Sequence, residues 1–267
     1  MDASARVADL FCVAGKRALV TGATAGIGRL IARGLAEAGV EVWAVSRNAE
    51  EVAALAAELS EFTPAHSVKA DVTTDEGLAA IREAMGDLPL HILVNNAGIT
   101  VDTPLDGEDG RGGFDTVLGL NLTAPFLVIQ TLLPNLDRTA TAEDPARVIN
   151  IASVAAIDPG GLPNYSYSAS KSALVTMTRH LGRHLAKRNI SCNAIAPGLF
   201  ASRMSEKFMD LKPGDAPPPG WGSPLGDRAG RGDDIAGATI YLCSRAGAWV
   251  TGAMLPVSGG AATIKPI

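Results

Sequence analysis

The chain has 267 residues, 47% hydrophobic and 19% charged, with 28 acidic against 23 basic side chains and a formal net charge of -5. That is ordinary globular usage, long enough to bury a sizeable core in one α/β domain over residues 1–267, and it excludes a disordered chain. The mildly acidic balance offers no footprint for nucleic acid or an anionic membrane, and no uninterrupted apolar run approaches the roughly 18 residues of a spanning helix.

No basic segment, long apolar run and small-residue cleavage site open the chain, so a cytoplasmic protein is expected, running straight into its first strand. Arg17–Gly22 reads as that strand. The helix after it carries Ile27, Leu30, Ile31, Gly34 and Leu35 at the spacing of one packed face. A strand over Glu41–Ser46, a helix over Ala49–Ser60, a strand over His66–Ala70, a helix near Asp75–Met85 and a strand over His91–Asn95 continue the alternation. A long helix over Phe114–Leu133 follows, in which Pro125 should leave a kink or a missing hydrogen bond. Arg147–Ala152 is a fifth strand, Tyr165–Lys187 a helix with Leu174, Met177, Leu181 and Leu185 on one side, and Ile190–Ala196 a sixth strand. One more helix runs from Asp234 to about Ser244, and a short strand near Met254–Val257 closes the series. Strands alternating with helices predict a doubly wound parallel sheet. The long stretch 199–230, with three prolines at 217–219, is expected to form a substrate lid at the carboxyl ends of the strands.

Between the first strand and its helix lies TGATAGIG, residues 21–28. A glycine turn opening a helix lets backbone N–H groups meet a pyrophosphate at the helix's positive end. Gly22, Thr24, Gly26, Ile27 and Gly28 are therefore candidate dinucleotide contacts. The second strand ends in Ser46-Arg47-Asn48. An acid there would accept the ribose 2′-OH of NAD; a serine followed by a guanidinium suits a 2′-phosphate, so NADP(H) is favoured over NAD(H). Asp71 and Val72 are placed to cradle the adenine, and Asn95, Ala97 and Gly98 to allow close approach of the cofactor.

Tyr167 and Lys171 stand four residues apart at a helix start, on one face. A free phenol titrates near 10, and a fixed ammonium beside it is expected to lower that value. Ser153, just past the fifth strand, could polarise a carbonyl. Cys12, Cys192 and Cys243 form no disulfide framework or metal spacing and read as small buried hydrophobes. No metal is expected. His180 and His184 lack a third ligand, and Arg179, Arg183 and Lys187 read as a solvated stripe.

In this order and at these spacings, TGATAGIG, NNAG, Asn121 in LGLNL, Ser153, YSASK and IAPG resemble the short-chain dehydrogenase/reductase family over essentially the whole chain, in its 3-oxoacyl reductase-like branch. The resemblance implies a seven-stranded Rossmann sheet and a tetrad of Asn121, Ser153, Tyr167 and Lys171. By that resemblance Tyr167 is the general acid of carbonyl reduction, and Lys171 holds the nicotinamide ribose and tunes Tyr167. Ser153 fixes the substrate oxygen, and Asn121 organises a water that relays protons to Lys171. Pro197, Gly198 and Leu199 border the nicotinamide, with Ser202 replacing the threonine that bonds its amide. A homo-oligomer, tetramer or dimer, is implied as well. The activity expected is hydride transfer between NADP(H) and a ketone or secondary alcohol, in the reductive direction. The alternatives are a 3-oxoacyl carrier-protein or CoA reductase, an NAD-dependent sugar-acid or polyol dehydrogenase, and, remotely, a non-catalytic dinucleotide sensor. Apolar lid residues (Leu199, Phe200, Met204, Phe208, Met209, Trp221) favour a hydrophobic or extended substrate. Glu143 and Asp144, before the fifth strand, count against a carrier-bound one.

Overall fold

Strand residues at alternating positions feed two opposite core layers, and that alternation defines the architecture. In a computed structural model, residues 3–262 are described except 108, 109, 161 and 213, with no side-chain description for residues 3, 207 and 208. Along β1 (Arg17–Thr21), Ala18 and Val20 enter one layer and Leu19 the other. Along β2 (Glu41–Ser46), Val42 and Ala44 face the first layer, Trp43 and Val45 the second. With β3 (Ala65–Lys69), β4 (Ile92–Asn95), β5 (Ala146–Ile151), β6 (Ile190–Pro197) and β7 (Met254–Val257) they form one seven-stranded sheet, in the order β3-β2-β1-β4-β5-β6-β7. Every pairing is parallel. Helices α2 (Gly26–Glu37), α3 (Ala49–Leu59) and α9 (Gly232–Cys243) cover one face. The other is covered by α4 (Asp75–Met85), α6 (Ala124–Asp137) and the end of α7 (Tyr165–Leu185). The strand order reverses between β1 and β4, so the crevice at their carboxyl ends is where a doubly wound sheet takes a ligand. This is the single Rossmann-type domain expected.

Several expectations need correction. The chain does not run straight into a strand: α1 (Ala3–Phe11) comes first, tied down by Asp9 to Arg245 at 2.6 Å. The buried stripe of α2 is Gly28, Ile31, Ala32, Leu35 and Ala36, with Ile27 and Leu30 at its margin. Gly34 matters through α9, because a Cβ there would sit 2.3 Å from that of Ala236. The long helix expected over Phe114–Leu133 runs without a break from α5 (Gly110–Leu118) into α6, through a π-turn over Gly119–Thr123. The irregularity expected at Pro125 takes the form of that wider turn, which ends two residues before the proline. Taken end to end, Gly110–Asp137 is long and apolar enough to cross a membrane, yet Val117, Val128, Ile129, Leu132 and Leu136 are buried in this fold.

On α7 the buried residues are Ser166, Ser170 and Lys171 near its start and Leu174, Val175, Thr178, Gly182 and Leu185 beyond. The stripe is rotated because Gly182 packs against the backbone of Gly252, where a Cβ would lie 2.7 Å from the amide nitrogen. Leu181 packs in part against the core as expected, while Met177 borders an open surface groove that Leu181 also lines. The segment after β6 contains a helix, α8 (Arg203–Met209), that periodicity did not reveal. Cys192 and Cys243 are buried as expected, but Cys12 is exposed.

Candidate active site

The loop between β1 and α2 is held shut by its neighbours. A Cβ on Gly28 would lie 2.3 Å from both the Gly22 carbonyl oxygen and Asn96 Nδ2, so a glycine is required there. Gly22 and Gly26 both have positive φ, at 62° and 50°, which a side chain would strain. Asn96 Nδ2 donates to the carbonyls of Thr21 and Gly22 at 3.0 Å each, tying β4's end to the loop. Thr21 Oγ1 accepts from the amides of Asn96 and Ala97, at 3.0 and 3.1 Å. Sequence reasoning passed over both residues, although Asn96 stands inside the NNAG run it quoted. Asn95 points the other way, into the sheet, where Nδ2 donates to Asn150 Oδ1 at 2.9 Å. Asn95 therefore supports the crevice from beneath.

Around the end of β2, Thr24 Oγ1 and Ser46 Oγ lie 3.2 Å apart, joining the loop to the strand end. The Arg47 side chain is 74% exposed, with Nη1 4.0 Å from Asp71 Oδ2. Asp71 is turned toward its own loop: Oδ1 accepts from the Thr73 hydroxyl at 2.6 Å and amide at 3.0 Å. Those bonds hold its carboxyl below the usual range against the opposing effect of burial, with Arg47's charge the least of the contributions. Asn48 caps α3, accepting from the amides of Glu50 and Glu51 at 3.0 and 3.1 Å, so its side-chain oxygen is already engaged.

Ser153 ends the extended run from β5 and caps a short 3-10 turn, its Oγ accepting from the Ala155 amide at 3.1 Å. Tyr167 stands in the first turn of α7, where the Ser153 hydroxyl favours its ionised form. Lys171, one turn on, is 4% exposed; its ammonium lies 5.7 Å from the Tyr167 ring centre and donates to the Ile151 carbonyl at 2.8 Å. Burial brings the Lys171 amine down to about 8. The expected lowering of Tyr167 is not what this geometry gives. Burial pushes the phenol up, with the Ser153 hydroxyl opposing it.

Asn121 sits in the π-turn, fully buried. Its Oδ1 accepts from the Ile99 amide at 2.8 Å, while Nδ2 donates to the Ile99 carbonyl at 2.9 Å and Ser170 Oγ at 3.0 Å. Ser170 Oγ in turn donates to the Tyr167 carbonyl at 2.7 Å. Asn121 thus joins the β4 loop to α7. Gly98 completes the contact, since a Cβ there would lie 3.2 Å from Asn121 Oδ1 and 3.4 Å from Lys171 Nζ.

Beyond β6, the Gly198 amide donates to the Val257 carbonyl at 3.0 Å, and Leu199 is half-buried. Ser202 caps α8 through a reciprocal pair with Ser205, at 3.1 and 2.8 Å, and packs on Gly26. Among the apolar lid candidates, Phe200 belongs to the core, wedged over Gly230. Met204 and Met209 are half-buried and Trp221 is exposed; the side chain of Phe208 lies outside the described residues. No group of three metal-ligating side chains exists among the described residues, and His180 and His184 are exposed.

A parallel doubly wound sheet, with a glycine turn at its switch point and a Ser–Tyr–Lys group beside it, defines an oxidoreductase of the nucleotide-dependent kind. The family model described as short chain dehydrogenase matches residues 16–212, and the chain belongs to that family. It is an oxidoreductase acting on CH–OH/C=O groups. The chain is 42% identical over 252 residues to a rhamnolipids biosynthesis 3-oxoacyl-[acyl-carrier-protein] reductase of Pseudomonas aeruginosa, covering 94% of this chain and 97% of that one. It is 36% identical over 262 residues to a gluconate 5-dehydrogenase of Gluconobacter oxydans, covering 94% and 96%. A solved Pseudomonas aeruginosa RhlG/NADP active-site complex superposes with a TM-score of 0.88 at 41% identity, over 95% of this chain and 99% of that one.

Proposed function

We propose that this enzyme is an NADP(H)-dependent reductase of ketones with an apolar chain, working through Ser153, Tyr167 and Lys171. The observation that carries the chemistry is a grouping of three side chains: the Ser153 hydroxyl at the end of β5, the Tyr167 phenol, which that hydroxyl pulls down against burial, and the buried Lys171 ammonium 5.7 Å from the Tyr167 ring centre. The nicotinamide supplies the hydride when bound, and the glycine loop is a cradle that any Cβ at Gly28 would fill. Gly22, Thr24, Gly26, Ile27 and Gly28 would hold the dinucleotide's phosphates; Ser46, Arg47 and Asp71 its adenosine end; Ala97, Gly98, Pro197, Gly198 and Ser202 its nicotinamide end. Ser153 Oγ donates to the substrate carbonyl oxygen and fixes it beside the phenol. Tyr167 gives its proton to that oxygen as the carbonyl carbon is reduced, leaving an alcohol. A phenol held above its usual value is protonated at neutral pH, the state a general acid needs. Lys171, its amine near 8, is mainly an ammonium at pH 7 and stabilises the phenolate left behind. Asn121 holds α7 and the β4 loop in register.

The NADP(H) preference is supported by a strand end with Ser46 and the exposed Arg47 in place of an acid, and by a relative solved with NADP. The apolar substrate is supported by exposed Ile157, Leu162 and Tyr165 on the segments that carry Ser153 and Tyr167, and by the relative named for 3-oxoacyl reduction. Asp144 bonds inward to Lys16 and Arg147, so it weighs less against a carrier-bound substrate than its sequence position suggested. Three free cysteines, Cys12 exposed, suit a reducing cytoplasm, and the apolar groove beside Met177 and Leu181 suits a homo-oligomer. The test is fluorescence titration of NADPH and NADH on the wild type and Arg47→Ala, followed by a 3-oxoacyl thioester against 5-ketogluconate. An NADPH preference that falls about tenfold in the variant, with turnover of the thioester, is expected. Equal binding of the two cofactors, or turnover of the sugar acid alone, refutes the reading.

A further inference from the structure

The first residue of α8 reaches across the molecule. Arg203 Nη2 donates to Glu51 Oε1 at 2.8 Å, joining the segment after β6 to the first turn of α3. The Arg203 bond and, to a lesser degree, the Thr24 hydroxyl hold the Glu51 carboxyl below its usual range, and Thr24 Oγ1 is 3.2 Å from Ser46 Oγ. One residue before Arg203, Ser202 packs on the glycine loop so closely that a Cβ on Gly26 would lie 2.8 Å from its own Cβ. The Arg203–Glu51 contact therefore lies beside the glycine loop and the strand terminus assigned to the ribose.

A carboxylate there is unfavourable for phosphate recognition, because Glu51 stands in the α3 turn that follows Ser46 and Arg47 and would repel a 2′-phosphate. Arg203 neutralises it. Both members are accessible, with side-chain exposures of 67% for Arg203 and 35% for Glu51, so the pair is free to exchange. A guanidinium meets a phosphate in two parallel charge-assisted bonds, whereas the contact with Glu51 is a single one.

We propose that Arg203 is a cofactor-specificity residue carried by the lid. Its guanidinium, resting on Glu51 in this structure, transfers to the ribose 2′-phosphate when NADP(H) binds and draws α8 over the dinucleotide. A dinucleotide without that phosphate leaves Arg203 on Glu51, so the lid responds to the phosphate itself through differential affinity for its two positions. The inference rests on the NADP(H) reading above and adds a residue far from β2 to it.

Equilibrium titration and stopped-flow release of NADPH and NADH, on the wild type, Arg203→Gln and Glu51→Gln, test it without turnover. Arg203 is exposed and Glu51 half-buried, and circular dichroism checks that the variants fold. Losing the guanidinium should weaken NADPH about tenfold and leave NADH within about twofold. Removing the competing carboxylate should tighten NADPH about threefold. The opposite signs separate exchange from a static strap, in which both variants would release both dinucleotides faster; that outcome overturns the proposal. An NADPH preference that survives Arg203→Gln overturns it while leaving the NADP(H) reading intact. A wild type that does not prefer NADPH removes both.

Discussion

Lys171 is buried in its charged form, and its replacement by methionine should stabilise the protein while destroying its activity. Burial alone accounts for the fall of its amine from 10.5 to about 8. At 1.36 kcal/mol per pH unit, holding the ammonium costs the fold about 3 kcal/mol at pH 7. Against that gain stands the bond to the Ile151 carbonyl, 2.8 Å long, whose loss costs about 1–2 kcal/mol. Lys171→Met should therefore gain about 1–2 kcal/mol, roughly 2–8 °C in Tm for a domain of this size. The sign with pH follows from a folded-state value that lies below the unfolded one. Below about 8 the amine is protonated in both states and the cost is complete. Between about 8 and 10.5 the folded protein loses its proton first and the cost shrinks; above 10.5 it is gone. Urea melts of the two proteins at pH 7 and pH 10 measure this as a difference. Only the difference isolates Lys171, because Cys192 and Cys243, pushed by burial up to about 12, lower the stability of both proteins as pH rises. A variant less stable than wild type at pH 7, or an advantage that persists undiminished at pH 10, would refute the reasoning.

Gly28→Ala should abolish dinucleotide binding, with NADPH affinity down at least about tenfold by titration, because its methyl would meet the Gly22 carbonyl and Asn96 amide at 2.3 Å. Unchanged affinity would mean that the loop is not the cradle. Arg147→Met should cost about 3–5 kcal/mol by urea denaturation. The guanidinium is fully buried, with Nε donating to the Leu242 carbonyl at 3.1 Å and Nη2 to the Ser244 carbonyl and Asp144 at 3.0 Å each. A loss under about 1 kcal/mol would show that the clamp contributes little.

The fold was legible because its central strands, β1, β2, β4, β5 and β6, are buried on both faces while its helices are amphipathic, so the two periods do not blur into one another. Boundaries came within a residue wherever punctuation was strong, as at Glu41–Ser46 between Val40 and the α3 cap. They failed where local sequence is ambiguous. Ala3–Phe11 forms a helix by packing against the 3-10 turn at Arg245–Gly247, a contact with no trace in its own period. The stripes of α2 and α7 were each misplaced by about one position because small residues carried the contact: Gly34 against Ala236, Gly182 against Gly252. A hydrophobic pattern weights large side chains, whereas close helix packing selects for small ones.

The site was legible for a different reason. Glycines at a switch point and a tyrosine one turn before a lysine are local in sequence, so their spacing carries their geometry. What joins them is not local. Asn96 bonds to a loop 74 residues away. Arg203 reaches Glu51 across 152 residues, and the Lys16–Asp144–Arg147 clamp closes on the carbonyl end of α9 from two separate strands' approaches. Each is a polar residue that composition alone assigns to solvent. Arg147 most of all contradicts that assignment: a strand residue facing the α9 layer, it ends where the helix presents unpaired carbonyls and their partial negative charge. The candidate site thus occupies a crevice at the carboxyl ends of the strands whose walls are tied by the Asn96 and Arg203 bonds, and changes in those two should alter cofactor affinity, whereas the Lys16–Asp144–Arg147 clamp secures the amino ends of β1 and β5 and should act on stability alone.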